Sequence, residues 1–469
     1  MKRFRGVIAL FFVLALVAAA CSSDSDDTTT TAASGGDETA TTAASGGDET
    51  TTTMASAMAD DVGIVEIFGP ETATELIAFQ DAMAPWEEES GKAVLITGDR
   101  SFQELNDVRI QGGNPPDVGI YAQPGKIKDL AARGDIQPLP DDLVAELQTM
   151  YDPFWLELAT YEGKVYGVPN KADLKSLVWY SPEAFAANGY AIPTSWDELT
   201  TLMDTMKANG QTPWCIGIGS GSATGWPYTD WMEDIMLRLH GPEVYDQWVN
   251  HEIPFDDPKV IEVGNFINDM WGAEGNVFGG RETIASTDFG DAGLPLLEGK
   301  CMMHRQANFY ANFWVDPGRA GSNPDAVLGP DGQVNVFYLP TISDEFGTVV
   351  LGAGTHAVMF NNRSEVVEAL RYIGNPGYGE LRSQLAPPAG FLNPNTEQDL
   401  DVAFGDDEFS KGLGEILLAA DPFRFDASDL MPGDIGAGEF WSAATDITAG
   451  NTTVEEGFAK VEEVWQGLG

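Results

Sequence analysis

Val62-Gly-Ile-Val-Glu-Ile-Phe68 is a short β-branched run that ends at Gly69-Pro70, the pattern of a strand closed by a turn. Downstream, Leu76, Phe79, Met83 and Trp86 recur at helical spacing. Pro85 falls inside that run and predicts a kink, and Gly91 predicts its end. Ala93-Val-Leu-Ile96 is the next apolar run. Strand, helix and strand in this order form a βαβ unit, which requires a parallel sheet with helices packed on it. Two more helices have readable starts. Ser195-Trp-Asp-Glu198 is a capping box ahead of Leu199, Leu202, Met203 and Met206, with Gly210 past the end. Thr453-Val-Glu-Glu456 is another, ahead of Phe458, Val461 and Trp465. Gly347–Leu351 and Ala357–Phe360 read as strands. The fold class is α/β.

The chain has 469 residues, enough for two or three folding units. Its first sixty residues stand apart. Lys2, Arg3 and Arg5 precede an apolar run from Val7 to Ala20, which reads as a signal peptide over 1–20. The run is too short for a membrane-spanning helix, which needs about 20 apolar residues. Ala18-Ala19-Ala20-Cys21 resembles a bacterial lipobox, with Ala18 where that motif usually has Leu; the alternative is an ordinary signal peptide with an incidental Cys. Residues 21–61 are dominated by Ser, Thr, Ala, Gly, Asp and Glu, and TTAASGGDET occurs at both Thr30–Thr39 and Thr41–Thr50. Such a segment cannot offset its ordering entropy by burial, so it is expected to be a disordered tether behind a lipidated Cys21. The chain would then be exported and held at the outer face of the cell membrane by its lipid alone.

The net charge is −48, of which −42 belongs to residues 62–469. That field disfavours nucleic acid and phosphorylated ligands, and a solvated surface suited to salt accounts for it. Four His and three Cys are too few for the usual zinc sets, and no cofactor or metal is expected. With Cys21 assigned to the lipid, Cys215 and Cys301 remain. In an exported chain they are expected to pair; the alternative is two independent buried thiols. No motif for hydrolysis or nucleotide chemistry is present: Gly219-Ser-Gly-Ser-Ala-Thr-Gly225 lacks the Lys of a phosphate loop. Aromatic residues instead gather in loop-like contexts, at Tyr121, at Trp226-Pro-Tyr-Thr-Asp230-Trp231, at Phe309 to Trp314 and at Phe440-Trp441. Faces of this kind stack on sugar rings while Asp, Asn, Gln, Lys and Arg bond the hydroxyls; each could equally be core.

A series of short motifs then resembles the family 1 extracellular solute-binding proteins of ABC transporters. In order these are Asn114-Pro-Pro-Asp117-Val118, Gly125 through Leu139, Tyr161-Glu-Gly163-Lys-Val-Tyr166-Gly167-Val-Pro169, Leu177-Val-Trp179-Tyr180, Gly189 with Pro193-Thr-Ser-Trp196-Asp-Glu198-Leu199, Leu297-Glu-Gly299-Lys-Cys-Met-Met303 and Gly352-Ala-Gly354. Ala172-Asp173-Leu-Lys175-Ser-Leu177, Pro213-Trp214-Cys215 and Phe425-Asp-Ala-Ser-Asp-Leu-Met-Pro432 resemble the alpha-glucoside-binding branch.

The resemblance implies two α/β lobes joined by crossover strands, with a ligand cleft between them. One lobe would hold residues 62–172 plus 341–386, the other 175–338 plus 389–469. The hinge would pass near 171–174, 339–343 and 386–390. It implies no catalysis, but a monomeric receptor that passes an oligosaccharide, such as maltose, trehalose or sucrose, to permease subunits. The alternatives are a secreted glycoside hydrolase and a receptor for a cation such as a polyamine. Carried over by position, the ligand-binding residues are Arg100, Tyr121, Gln123, Asp173, Lys175, Trp226, Asp230, Gln306, Phe309, Asp434 and Trp441. Trp441 is the expected stacking platform and Phe440 core, while Asp434 could equally be a solvated turn acid.

Overall fold

The computed structural model describes residues 63–468. The signal peptide, Cys21 and the tether lie outside them. The βαβ unit is present. Strand β1 (Ile64–Gly69), helix α1 (Ala73–Ser90) and strand β2 (Ala93–Gly98) follow one another, and β1 pairs with β2 in parallel from Ile64↔Ala93 to Gly69↔Gly98. Pro85 is accommodated within α1, and Gly91 caps the helix in the left-handed region, its N–H donating to the Glu87 carbonyl. Helix α2 (Phe102–Gln111), strand β3 (Val118–Tyr121) and helix α3 (Pro124–Arg133) complete this half.

The chain then crosses over. Strand β4 (Gly167–Leu174) belongs to the first sheet, and strand β5 (Leu177–Tyr180), two residues later, belongs to a second. The second lobe is built on α4 (Trp226–Val249) and the antiparallel sheet in which β5 lies between β6 (Met303–Arg305) and β7 (Asn335–Tyr338). The chain returns through β8 (Val350–Met359), which pairs antiparallel with both β3 and β4. A short strand β9 (Phe423–Phe425) runs parallel to its beginning, at Val350–Gly352. Helices α5 (Ala427–Leu430) and α6 (Trp441–Ala449) flank a wider, π-helical stretch at Asp434–Phe440.

Two strands expected at Gly347–Leu351 and Ala357–Phe360 are one strand, β8. Gly354 reads as a break in sequence, but here it permits contact: a Cβ on it would lie 2.3 Å from the Lys171 carbonyl oxygen. Both N-caps form. The Ser195 and Thr453 hydroxyls accept from the N–H groups of Glu198 and Glu456, opening helices Trp196–Ala208 and Val454–Gly467.

Each lobe has its own core. Val65, Ile67, Phe79, Met83, Leu370 and Ile373 pack in the first; Trp231, Tyr245, Trp248, Phe255, Phe440 and Phe458 pack in the second. Phe440 is core, as expected. Cys215 and Cys301 are bonded, with Cα atoms 5.6 Å apart. Among the described residues no helix is long and apolar enough to cross a membrane.

Candidate functional site

A cavity of about 820 Å³ lies between the lobes. From the first lobe it is lined by Arg100, in the turn after β2, by Gln103 and Asp107 of α2, and by Gln123 and Lys126 where α3 begins. Asp173 and Lys175 enter from the crossover. The second lobe contributes Trp226, Phe289, Phe309, Asp426, Asp429 and Trp441.

The second lobe supplies four aromatic rings, Trp226, Phe289, Phe309 and Trp441. Trp226 opens α4 and meets Phe289 edge-on at 4.9 Å and Phe309 at 6.1 Å between ring centroids. Trp441 opens α6 and is 6% exposed. Its carbonyl lies so close to Gly225 that a Cβ there would be 2.3 Å from the oxygen; with φ at +116°, position 225 requires glycine. That contact sets the start of α4 against the start of α6 and brings Trp226 and Trp441 to the same cavity. The indole Nε1 of Trp441 has no hydrogen-bond partner among the described residues.

The polar share is centred on Lys175. Its Nζ donates to Asp230 at 2.7 Å and to Asp426 at 3.1 Å, and it sits 5.0 Å from the face of Trp226. Burial alone would lower its pKa, but Asp230 and Asp426 outweigh burial and hold it as an ammonium above the ordinary lysine range. Behind it, Arg305 reaches Asp230 at 3.2 Å and also pairs with Asp234. Asp230, Glu233 and Asp426 bring one carboxylate oxygen each within 4.8 Å of one another. The Lys175 ammonium already bonds two of them, so the cluster carries its own cation. Glu233 is pushed well above the ordinary glutamate range by burial, then by Asp426 and Asp230.

Asp173 is 5% exposed. Its Oδ1 accepts no hydrogen bond among the described residues, and its nearest cation is Lys171 Nζ at 3.4 Å. Burial raises its pKa, and Lys171 and Lys175 offset only part of that. Lys171 is shared with Glu75, also at 3.4 Å, and stands over the Phe309 ring at 4.9 Å. Arg100 donates to Glu75 at 2.8 Å and reaches across to the rings of Phe289 and Phe313, at 5.7 and 5.4 Å.

Of the eleven residues named from sequence, the structure brings Arg100, Gln123, Asp173, Lys175, Trp226, Phe309, Asp434 and Trp441 to this cavity. Asp434 is exposed on its rim. The other three do not line it. Tyr121 is fully buried under α2, its ring edge-on to Phe102 at 4.8 Å and its hydroxyl accepting from Asn106 at 2.6 Å. Successive strand residues point to opposite faces, and Tyr121 takes the face that packs under the helix. Asp230 lies beneath Lys175, so the ammonium faces the cavity in its place. Gln306 follows β6, and its side chain is consumed by the turn, Oε1 accepting from the Ala307 N–H at 2.8 Å. The Gly219–Gly225 loop contributes Ser220, Ser222 and Ala223 to the wall.

Gln103, Asp107, Lys126, Phe289, Asp426 and Asp429 line the cavity without having been named. Asp426 and Asp429 stood in the Phe425–Pro432 motif, a usable signal. Phe289, in a four-residue helix far from the other aromatics in sequence, offered none.

The sequence profile of the bacterial extracellular solute-binding protein family matches residues 69–376. The osmoprotective compounds-binding protein GgtB of Synechocystis sp. is 39% identical over 389 residues, 82% of this chain and 89% of that protein. The alpha-glucosides-binding periplasmic protein AglE of Rhizobium meliloti is 38% identical over 415 residues, 86% of this chain and 87% of that protein. Among solved structures, the bacterial solute receptor AcbH superposes with a TM-score of 0.73 at 17% identity, covering 87% of this chain and all of that one. The GacH receptor of Streptomyces glaucescens superposes with a TM-score of 0.66 at 16% identity, covering 87% of this chain and 99% of that one.

Proposed function

The chain belongs to the bacterial extracellular solute-binding proteins, and from that premise we propose that it is the substrate-binding lipoprotein of a carbohydrate ABC importer, with an α-glucoside as its ligand. This is a family of receptors, not enzymes, so the glycoside hydrolase alternative falls away. The observation that carries the sugar reading is the chemistry of the cavity wall. Trp226, Phe289, Phe309 and Trp441 supply aromatic surface, while the Trp441 Nε1 donor is buried without a hydrogen-bond partner and the Asp173 Oδ1 acceptor has only Lys171 Nζ at 3.4 Å. A hydroxyl-rich ring satisfies both at once, since each hydroxyl donates and accepts. The printed ligand of the 38% identical AglE, an alpha-glucoside, supports the finer choice, and maltose, trehalose and sucrose are the compounds to try first.

In this reading the lobes are 62–172 plus 341–386 and 175–338 plus 389–469. Binding closes them about crossovers near 171–174, 339–343 and 386–390, and the closed monomer docks on the permease subunits. The lipid on Cys21 holds the protein at the membrane, and Cys21→Ser should release it into the soluble fraction.

Calorimetric titration of the protein with maltose, trehalose and sucrose tests the function. Saturable binding of at least one, recovered intact afterwards, supports it; no binding of any, or release of glucose, contradicts it. The polyamine alternative has one observation in its favour, the carboxylates on the cleft wall. Displacement of bound disaccharide by spermidine would favour it.

A further inference from the structure

The charged groups of the cavity are unevenly committed. Its three lining cations, Arg100, Lys126 and Lys175, are each spent on a protein carboxylate: Arg100 on Glu75 at 2.8 Å, Lys126 on Asp107 at 2.8 Å and Lys175 on Asp230 and Asp426 at 2.7 and 3.1 Å. Three of the lining acids are in a different position. Asp173 is buried, leaves Oδ1 without a hydrogen bond, and has to share Lys171 with Glu75. Asp429 is also buried, and burial followed by the adjacent Asp426 charge pushes it well above the ordinary aspartate range, with Lys175 and Gln123 offsetting only part. Asp434 stands on the rim, with no ion pair among the described residues.

We propose that the cleft sorts glycosides by charge, admitting uncharged and amine-bearing glycosides and rejecting those that carry a carboxylate or a phosphate. The proposal rests on the sugar reading above and deepens it to a ligand class. A uronate or a sugar phosphate entering the cavity meets Asp173 and Asp434 while Arg100, Lys126 and Lys175 are each already paired with a protein carboxylate, and it has left water to do so. An ammonium on the sugar gains what the anion loses, because Asp173 Oδ1 has only Lys171 Nζ at 3.4 Å, an ammonium it shares with Glu75. Most of the wall is shielded from solvent, so the discrimination is only partly screened by salt.

The test is one scaffold in three charge states: trehalose, 6-amino-6-deoxytrehalose and trehalose 6-phosphate, titrated calorimetrically into the full chain at low and at high salt. The expected order is amine at least as tight as trehalose, and phosphate at least about tenfold weaker than trehalose, equivalent to 1.4 kcal/mol. High salt narrows that ratio without removing it. Asp434→Asn, on the exposed rim, leaves folding intact and brings the phosphate closer to trehalose by threefold or more; Asp173→Asn does the same and also removes any advantage of the amine. Phosphate binding within about twofold of trehalose overturns the charge selection while leaving the sugar reading standing. An unchanged phosphate-to-trehalose ratio in both variants overturns its assignment to these carboxylates. If trehalose and both derivatives fail to bind, trehalose is not the ligand, and the inference falls with the reading it rests on.

Discussion

Replacing Lys175 by Met removes the one ammonium that two buried carboxylates share. Asp230 and Asp426 are 0% and 3% exposed in their side chains, and Lys175 itself is 7% exposed. Breaking such a pair from one side typically costs about 3–5 kcal/mol, because the surviving charge stays buried without its partner. Two features place Lys175→Met toward the lower half of that range. Asp230 keeps Arg305 at 3.2 Å, and Asp426 keeps the Ser428 hydroxyl at 2.9 Å and the Asp429 N–H at 3.1 Å. Losing the cation above Trp226 adds about 1–2 kcal/mol. The expected loss is therefore about 4–6 kcal/mol, read from urea unfolding followed by tryptophan fluorescence at neutral pH. The double variant Lys175→Met, Asp426→Asn should recover at least about 1 kcal/mol, since it no longer strands that charge. A Lys175→Met protein within about 1 kcal/mol of wild type would refute the reasoning, and so would a double variant that is less stable than the single one.

Three further outcomes follow from the same contacts. Glu233 has a higher pKa folded than unfolded, so its share of stability is complete below the ordinary glutamate range and is lost as pH rises through the raised value; urea midpoints should decline on that side, and Glu233→Gln should flatten the slope. Trp441→Ala should weaken disaccharide binding at least about tenfold by calorimetry, whereas Trp441→Phe, which keeps a ring but loses Nε1–H, should lose less; equal affinity in the Ala variant would remove Trp441 from the site. The Cys215–Cys301 bridge spans 86 residues, for which loop-closure entropy gives on the order of 4–5 kcal/mol, so a Cys215→Ser, Cys301→Ser double variant should show a clear drop in thermal midpoint, and an unchanged midpoint would contradict it.

What was legible in the sequence was local. The βαβ unit and the two N-caps were readable because alternation, helical spacing and an N-terminal hydroxyl each act within a few residues. The single strand β8 was not, because Gly352 and Gly354 look like punctuation until the neighbouring Lys171 carbonyl and Phe423 ring are seen to need their missing side chains. At the site, Trp226 and Trp441 stood beside glycines in loop-like contexts, and the close approach of Gly225 to the Trp441 carbonyl explains why. Tyr121 stood in a similar setting, but strand alternation turns it into the core, and Gln123 reaches the cavity because the strand has ended and the chain turns into α3. Asp230 was one helical turn from Trp226 and chemically apt, yet whether it or Lys175 reaches the ligand depends on packing between the crossover and α4. Phe289 shows the limit: only tertiary folding brings it to Trp226.

The central claim is that an α-glucoside lies between the lobes against Trp441 and the Trp226 wall. A crystal structure of the protein with the disaccharide that binds it in calorimetry tests this most directly. The account predicts a sugar ring stacked on Trp441, a sugar oxygen within hydrogen-bond reach of its Nε1 or of an adjacent polar group, and a hydroxyl donating to Asp173 Oδ1. Sugar bound outside this cleft, or in it with Asp173 Oδ1 and the Trp441 ring untouched, would contradict it.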